Sequence, residues 1–175
     1  MKTIVPILPQ ELVHELILKN DYFPNNSRFP LLIYRQVFNL TDTTSEMIQN
    51  FLQQNEWVNS WVDSIYDYHH YHSNTHEALV IISGRCKVQI GGDNGKKYDV
   101  FKGDSIIFPA GVSHKNVGSS SDFKCIGAYP EDIDYDLKYG LAKEHPQVDE
   151  NIKKVDVPKN DPIFGKKGLL FDYWI

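Results

Sequence analysis

Four of the chain's seven histidines, His69, His70, His72 and His76, fall within eight residues, and Glu77 follows directly. Alternate residues of an extended chain share a face, so His70 and His72 point the same way. An unbroken strand would send Glu77 to the opposite face. The polar run Ser73-Asn74-Thr75 is turn-forming, however, and a bend there resets the alternation. Glu77, Leu79 and Ile81 can then share the inward face with the two imidazoles. Two imidazoles and a carboxylate converging inside a β structure suit a divalent transition metal. His114, just after the turn sequence Pro109-Ala110-Gly111, is a fourth donor that such a turn would aim back across the interior. Buried without an ion, these groups would be left with unpaired polar atoms at considerable cost, and coordination removes that cost. With the bend placed differently, His76 takes the place of Glu77 or His72; otherwise it faces outward or stands behind the ligands. His69 alternates away from His70 to a surface or interface position. His14 and His145 are isolated.

Three imidazoles and one carboxylate fill four positions of an octahedron and leave two adjacent ones for water, a bidentate substrate, or substrate and dioxygen. Nitrogen and oxygen donors accept Fe, Mn, Ni, Co or Zn, so the donor set does not name the ion. Tyr66 and Tyr68 share strand parity with His70 and His72. They either donate a hydrogen bond or a proton to a bound substrate or fill the end of the structure with aromatic bulk. Arg35, on the otherwise apolar run Leu31–Phe38, is positioned either to clamp a substrate carboxylate or to lie on a solvated strand face. Lys87 and Lys115 are further polar candidates. Trp57 and Trp61 read as core or as a dimer interface.

The elements that must carry these residues are mostly short strands. Residues 61–72, 77–83, 85–91, 97–101, 105–108 and 123–129 read as strands separated by glycine-containing turns, with Gly91-Gly92-Asp93-Asn94-Gly95 the clearest hairpin connection. Gly118-Ser119-Ser120 reads as another turn. Such spacing indicates an antiparallel sandwich or barrel. Ahead of it, residues 9–19 read as a short helix with Leu12, Leu16 and Ile17 on one side. Leu31–Phe38 reads as a strand, and Thr44–Gln54 as a helix opened by a capping box at Thr43-Thr44-Ser45-Glu46. The last 45 residues read as loops, ending in an aromatic tail, Phe171-Asp172-Tyr173-Trp174-Ile175, that packs back on the strands. This divides the chain into an N-terminal extension (1–56), a core (57–130) and a C-terminal wrapping segment (131–175), all within one structural domain.

The whole composition agrees with a folded, independent chain. In 175 residues, 41% are hydrophobic and 13% aromatic, enough for a core without disulfides and too many for a disordered chain. A net charge of −5 argues against a nucleic-acid partner. The longest apolar run, Ala78–Ile82, is far short of the ~20 residues of a membrane helix. No signal peptide is evident, and Cys86 and Cys125 read as free buried thiols, so the expected location is the cytoplasm.

The site residues also carry a resemblance. His70-Tyr71-His72, four residues, Glu77, six residues and Gly84 resemble the first cupin motif. Gly103, five residues, Pro109-Ala110-Gly111, two residues and His114 resemble the second. Eighteen residues lie between them, close to the short spacing of microbial cupins. The resemblance covers roughly residues 60–130. The stretches His72–Gly84 and Pro109–Pro130, with Val157-Pro158, Asp161-Pro162 and Gly165, are most similar to the uncharacterised bacterial YjlB-like cupins. It implies an all-β double-stranded β-helix, a jelly-roll barrel, with short N-terminal helices and a loop-rich C-terminal tail. It further implies metal ligands at His70, His72, Glu77 and His114, and a homodimer formed through a sheet face or exchanged N-terminal strands. Leu31–Phe38 is the segment for such exchange, unless it closes this chain's own barrel. Gly118 stands where the second motif usually has asparagine, and Ile65-Tyr66-Asp67-Tyr68 replaces a glycine before the first. The expected function is a metal-dependent enzyme of dioxygenase or decarboxylase type on a small organic acid, enediol or sugar-like substrate. The alternatives are a metal-dependent isomerase or epimerase, and a small-molecule-binding module without catalysis.

Overall fold

Along the strand Glu77–Ser83, Leu79 and Ile81 alternate with Ala78 and Val80, and the two pairs pack into different cores. That period-2 division organises the molecule. The computed structural model describes residues 4–175. Its strands are β1 (Leu12–Glu15), β2 (Leu31–Tyr34), β3 (Trp57–Asp63), β4 (Glu77–Ser83), β5 (Arg85–Ile90), β6 (Lys96–Phe101), β7 (Ser105–Phe108), β8 (His114–Ser119) and β9 (Lys124–Pro130). They form a six-stranded sheet in the order β1-β2-β7-β4-β9-β3 and a three-stranded sheet in the order β6-β5-β8. Every pairing is antiparallel.

One face of the large sheet shares a cluster with the small sheet: Ile33, Leu79, Ile81 and Ile106 meet Val88 and Val100. The other face is covered by helix α1 (Ser45–Gln54) and the C-terminal segment, where Leu32, Val80 and Ile126 meet Leu52, Leu170 and Trp174. Burial of Ile48 and Leu52 on α1 contributes roughly 1.5–3 kcal/mol each. The expected aromatic tail is in place through Trp174, which stacks on Phe29 at 5.1 Å and donates Nε1–H to the Pro30 carbonyl, while Ile175 is exposed. Cys86 and Cys125 are buried free thiols; burial pushes Cys86 up to about 12.

Several local expectations need correction. Residues 9–19 contain no helix: Leu12–Glu15 pairs with β2 instead, because the open edge of β2 offers a full ladder and tertiary pairing outweighs a short helical pattern. The only N-terminal helix among the described residues is α1, and its cap is Thr44, whose side chain accepts from Met47 N at 3.3 Å, one residue beyond the expected Thr43. Strand 61–72 is displaced to Trp57–Asp63, and residues 64–76 run as irregular chain with isolated bridges at His70 and Tyr71. The turn at Gly118-Ser119-Ser120 is the end of β8, and the C-terminal segment contains helix α2 (Gln147–Lys154). Leu31–Tyr34 lies between β1 and β7 of its own chain. No helix of the described residues is long and apolar enough to cross a membrane.

Candidate metal centre

The bend at residues 73–75 forms, and Glu77 starts β4 on the face of Leu79 and Ile81. Two segments bring the histidines to it. His70 and His114 pair as an isolated antiparallel bridge, with N–H to carbonyl distances of 3.2 and 3.0 Å, and Gly111 N donates to the His72 carbonyl at 2.8 Å. Gly111 has φ +90°, and a Cβ there would meet the Asn25 carbonyl oxygen at 2.5 Å, so the turn that delivers His114 requires glycine. All four side chains are buried.

His70, Glu77 and His114 each place one ligand atom within 4.8 Å of the other two. His72 joins through the carboxylate: its Nε2 is 3.5 Å from Glu77 Oε2, and His114 Nε2 is 3.2 Å from the same atom. Each imidazole turns Nδ1 to a backbone carbonyl, His70 to Tyr68 at 3.3 Å, His114 to Val112 at 3.2 Å, and His72 to Asp136. Nδ1–H donation of this kind orients each ring and leaves Nε2 as the nitrogen available to an ion. Glu77 Oε2 is buried and has no well-aligned hydrogen-bond donor. Its Oε1 accepts from Tyr129 Oη at 3.1 Å, and Tyr129 Oη in turn accepts from Trp61 Nε1 at 2.9 Å.

The electrostatics follow from burial and these neighbours. Burial pushes the Glu77 carboxyl up, but the attraction of His72 and His114 outweighs it and holds the group well below the ordinary carboxylate range. For His72, burial is likewise outweighed by the Glu77 carboxylate, and its pKa is raised. Burial, reinforced by His114, pushes His70 down to about 3, so it is a neutral donor throughout the physiological range. A cavity of about 240 Å³ opens beside the four groups, walled by Trp61, Ile65, Leu79, Tyr129, Tyr135 and Leu137.

The other candidate residues divide. Tyr66 lines this cavity and meets His70 edge-on at 5.0 Å, while Tyr68 stacks on Tyr66 at 4.9 Å, outside the cavity wall. Arg35 lies elsewhere: its guanidinium holds Asp104 at 2.9 Å and the Asp99 carbonyl at 2.6 Å. Lys87 faces Asp99 at 3.8 Å, and Lys115 faces Asp93 at 3.9 Å. His76 is buried on the opposite sheet face against Phe29 and Trp174, because it precedes Glu77 by one residue in the alternation. Its Nε2–H donates to the Asp156 carbonyl, and its Nδ1 accepts from Ala110 N, so it props the turn before His114 without meeting the His70, His72, Glu77 and His114 cluster. His69 is buried rather than surface-exposed, packed against Phe23 with Nε2 3.7 Å from Asp93.

Three contributors escaped the sequence reading. Asp136 ties the C-terminal segment to the bend: its carboxylate accepts from Ser73 N at 2.6 Å and Ser73 Oγ at 2.5 Å, and its carbonyl orients His72. Tyr135 stacks on Tyr129 at 4.2 Å and meets His72 edge-on. Tyr129 shares strand parity with Cys125, which the cluster between the sheets contains, and that parity was the available signal. Trp61 fits only because residue 127 is glycine: a Cβ there would lie 2.2 Å from its ring.

Two antiparallel sheets, two histidine-bearing segments bridged by backbone pairs, and a carboxylate between them are the parts of a cupin. A model of the cupin domain matches residues 63–126, and this chain belongs to the cupin superfamily. The uncharacterised protein YjlB of Bacillus subtilis is 40% identical over 152 residues, which cover 87% of this chain and 90% of that protein. Among solved structures, acireductone dioxygenase from Bacillus anthracis, with a cadmium ion in its active centre, is 20% identical over 50% of this chain and 60% of its own, with a TM-score of 0.36. Procruciferin, an 11S globulin from Brassica napus, is 16% identical over 65% of this chain and 23% of its own, with a TM-score of 0.38. The chain thus spans less than two thirds of either solved protein.

Proposed function

We propose that this cupin holds one divalent transition metal ion on His70, His72, Glu77 and His114 and is an enzyme of dioxygenase or decarboxylase type acting on a small oxygen-bearing molecule in the adjoining cavity. The observation that carries this reading is the arrangement of atoms around Glu77 Oε2. That oxygen is buried without an aligned donor, and the three histidines all turn Nδ1 to backbone carbonyls and leave Nε2 for the cluster. Three imidazole nitrogens gathered around one carboxylate oxygen that no aligned donor satisfies suit a cation between them. When bound, such an ion would polarise the oxygens of a chelating substrate and, as iron, support oxygen activation.

The chain's own groups supply the rest. Tyr129 fixes one carboxylate oxygen and leaves the other to the ligand position. Tyr135 and Leu137, from the C-terminal segment, wall the cavity and limit water around the site. Tyr66, beside His70 and lining the cavity, would donate a hydrogen bond to a substrate oxygen. Protein purified without chelating resin or added salts should carry one divalent ion per chain, measured by elemental analysis. His114→Ala should lose it with an unchanged far-ultraviolet circular dichroism spectrum. Stoichiometric metal persisting in a His72→Ala/His114→Ala double variant would refute the ligand set. Oxygen consumption over a substrate panel separates this activity from isomerisation.

A further inference from the structure

The walls of the cavity restrict what the ion can be offered. Apart from His70, His72, His114 and Ser64 they are aromatic and aliphatic, and their acidic groups are Glu77 and the exposed Asp63. Among the described residues that line the cavity there is no lysine or arginine, and Arg35, just past the end of β2, lies elsewhere and is held by Asp104. We infer that the cavity selects a single, ring-sized planar molecule that chelates through adjacent oxygens and carries no second anionic group. This rests on the metal reading above.

Size and charge both lead there. An apolar cavity of ~150 Å³ is enough to take up benzene. The space here, about 240 Å³, therefore suits one substituted ring rather than a nucleotide or a long chain. Trp61, Tyr129 and Tyr135 offer π surfaces, Tyr129 and Tyr135 already stacked at 4.2 Å and Trp61 held to Tyr129 by its indole N–H. As for charge, a divalent ion with three neutral imidazoles and one carboxylate leaves a net single positive charge. One deprotonated chelating oxygen balances it. A further carboxylate or phosphate would be desolvated against apolar walls with no cation to pair with and with Asp63 nearby. Dicarboxylates, sugar phosphates and nucleotide sugars are thereby disfavoured.

The test compares 4-methylcatechol with 3,4-dihydroxybenzoate, rings of similar size that differ by a distal carboxylate, titrated by calorimetry into metal-loaded protein. The neutral ring should bind about tenfold tighter or better, ~1.4 kcal/mol. In parallel, p-cresol and 4-hydroxybenzoate are titrated into chelator-treated protein, which reads the walls without the ion. The same preference in this second pair, in protein that elemental analysis shows never holds metal, would retain the selection by size and charge and refute the metal reading with the chelation. Equal or tighter binding of the acid in both pairs overturns the inference, as does failure of both neutral rings to bind at millimolar concentration. Val62→Lys, at an exposed position on the cavity wall, should raise the affinity of 3,4-dihydroxybenzoate about tenfold and leave 4-methylcatechol within about twofold. An unchanged ratio between the two ligands would count against the charge rule.

Discussion

Tyr129→Phe isolates the support of the carboxylate from the ligands themselves. The substitution removes one oxygen and keeps the ring, so the stack on Tyr135 and the edge contact with His72 at 5.3 Å survive. Two hydrogen bonds are lost: the 3.1 Å donation to Glu77 Oε1 and the 2.9 Å bond accepted from Trp61 Nε1. Burial, and then the Glu77 charge, push the Tyr129 hydroxyl far above its ordinary pKa, so it remains a donor at any working pH. A hydrogen bond to a charged group is worth about 1.5–3 kcal/mol. Loss of an outer partner of a metal ligand costs ~10–100-fold in affinity, or about 1.4–2.7 kcal/mol, which is the same range. Tyr129→Phe should therefore weaken metal binding by about ten- to a hundredfold while His114→Ala abolishes it, read by competition against a chromophoric chelator. Affinity within about threefold of the parent, with only the melting temperature lowered, would show that the hydroxyl serves the fold and that Glu77 is not held for a cation.

Three more outcomes follow from the same contacts. Asp136→Ala should cost about 1–3 kcal/mol in urea denaturation and weaken metal binding although no ligand is touched, because Ser73 N and Oγ lose their acceptor and the carbonyl facing His72 is released; unchanged affinity would separate this segment from the site. Trp174→Ala should cost about 3–5 kcal/mol, read by the same denaturation, through the lost stack on Phe29 and the lost bond to Pro30. Burial pushes His76 down to about 4, below its unfolded value of about 6.5. Between those values the unfolded chain binds the extra proton, so this contribution is complete above pH 6.5 and is lost as pH falls towards 4. It amounts to about 2 kcal/mol between pH 7 and pH 5. His76→Gln should lose that part of the slope in denaturation midpoints measured at both pH values, and an unaltered slope would place the titration elsewhere.

The candidate site, His70, His72, Glu77 and His114, was readable because its side chains show their chemistry in their identity, and the glycine-punctuated strands around them alternate visibly. What was missed has physical reasons. Leu12, Leu16 and Ile17 fit a helix by spacing, and only the vacant side of β2 makes Leu12–Glu15 a strand. The strand His114–Ser119 is polar and ends in Gly118 and Ser119, so its identity comes from backbone pairing with β5. Helix α2 buries a single apolar residue, Val148, which leaves no stripe to detect. Asp136 acts on His72 through a backbone carbonyl, which every residue possesses, so no sequence pattern could single it out.

Because β4 sends neighbours to opposite sides, the character of the site is a matter of counting. His76 and Glu77 are adjacent, one beside Trp174 and one beside His114. Inserting a single residue in the bend at 73–75 while β4 stays anchored would leave that pair alone. A slip of β4 itself by one position would exchange them and bring an imidazole where the acid stands. With an ion bound, a centre of four neutral rings would carry its full double charge, and would favour dianions where the proposed native set disfavours them.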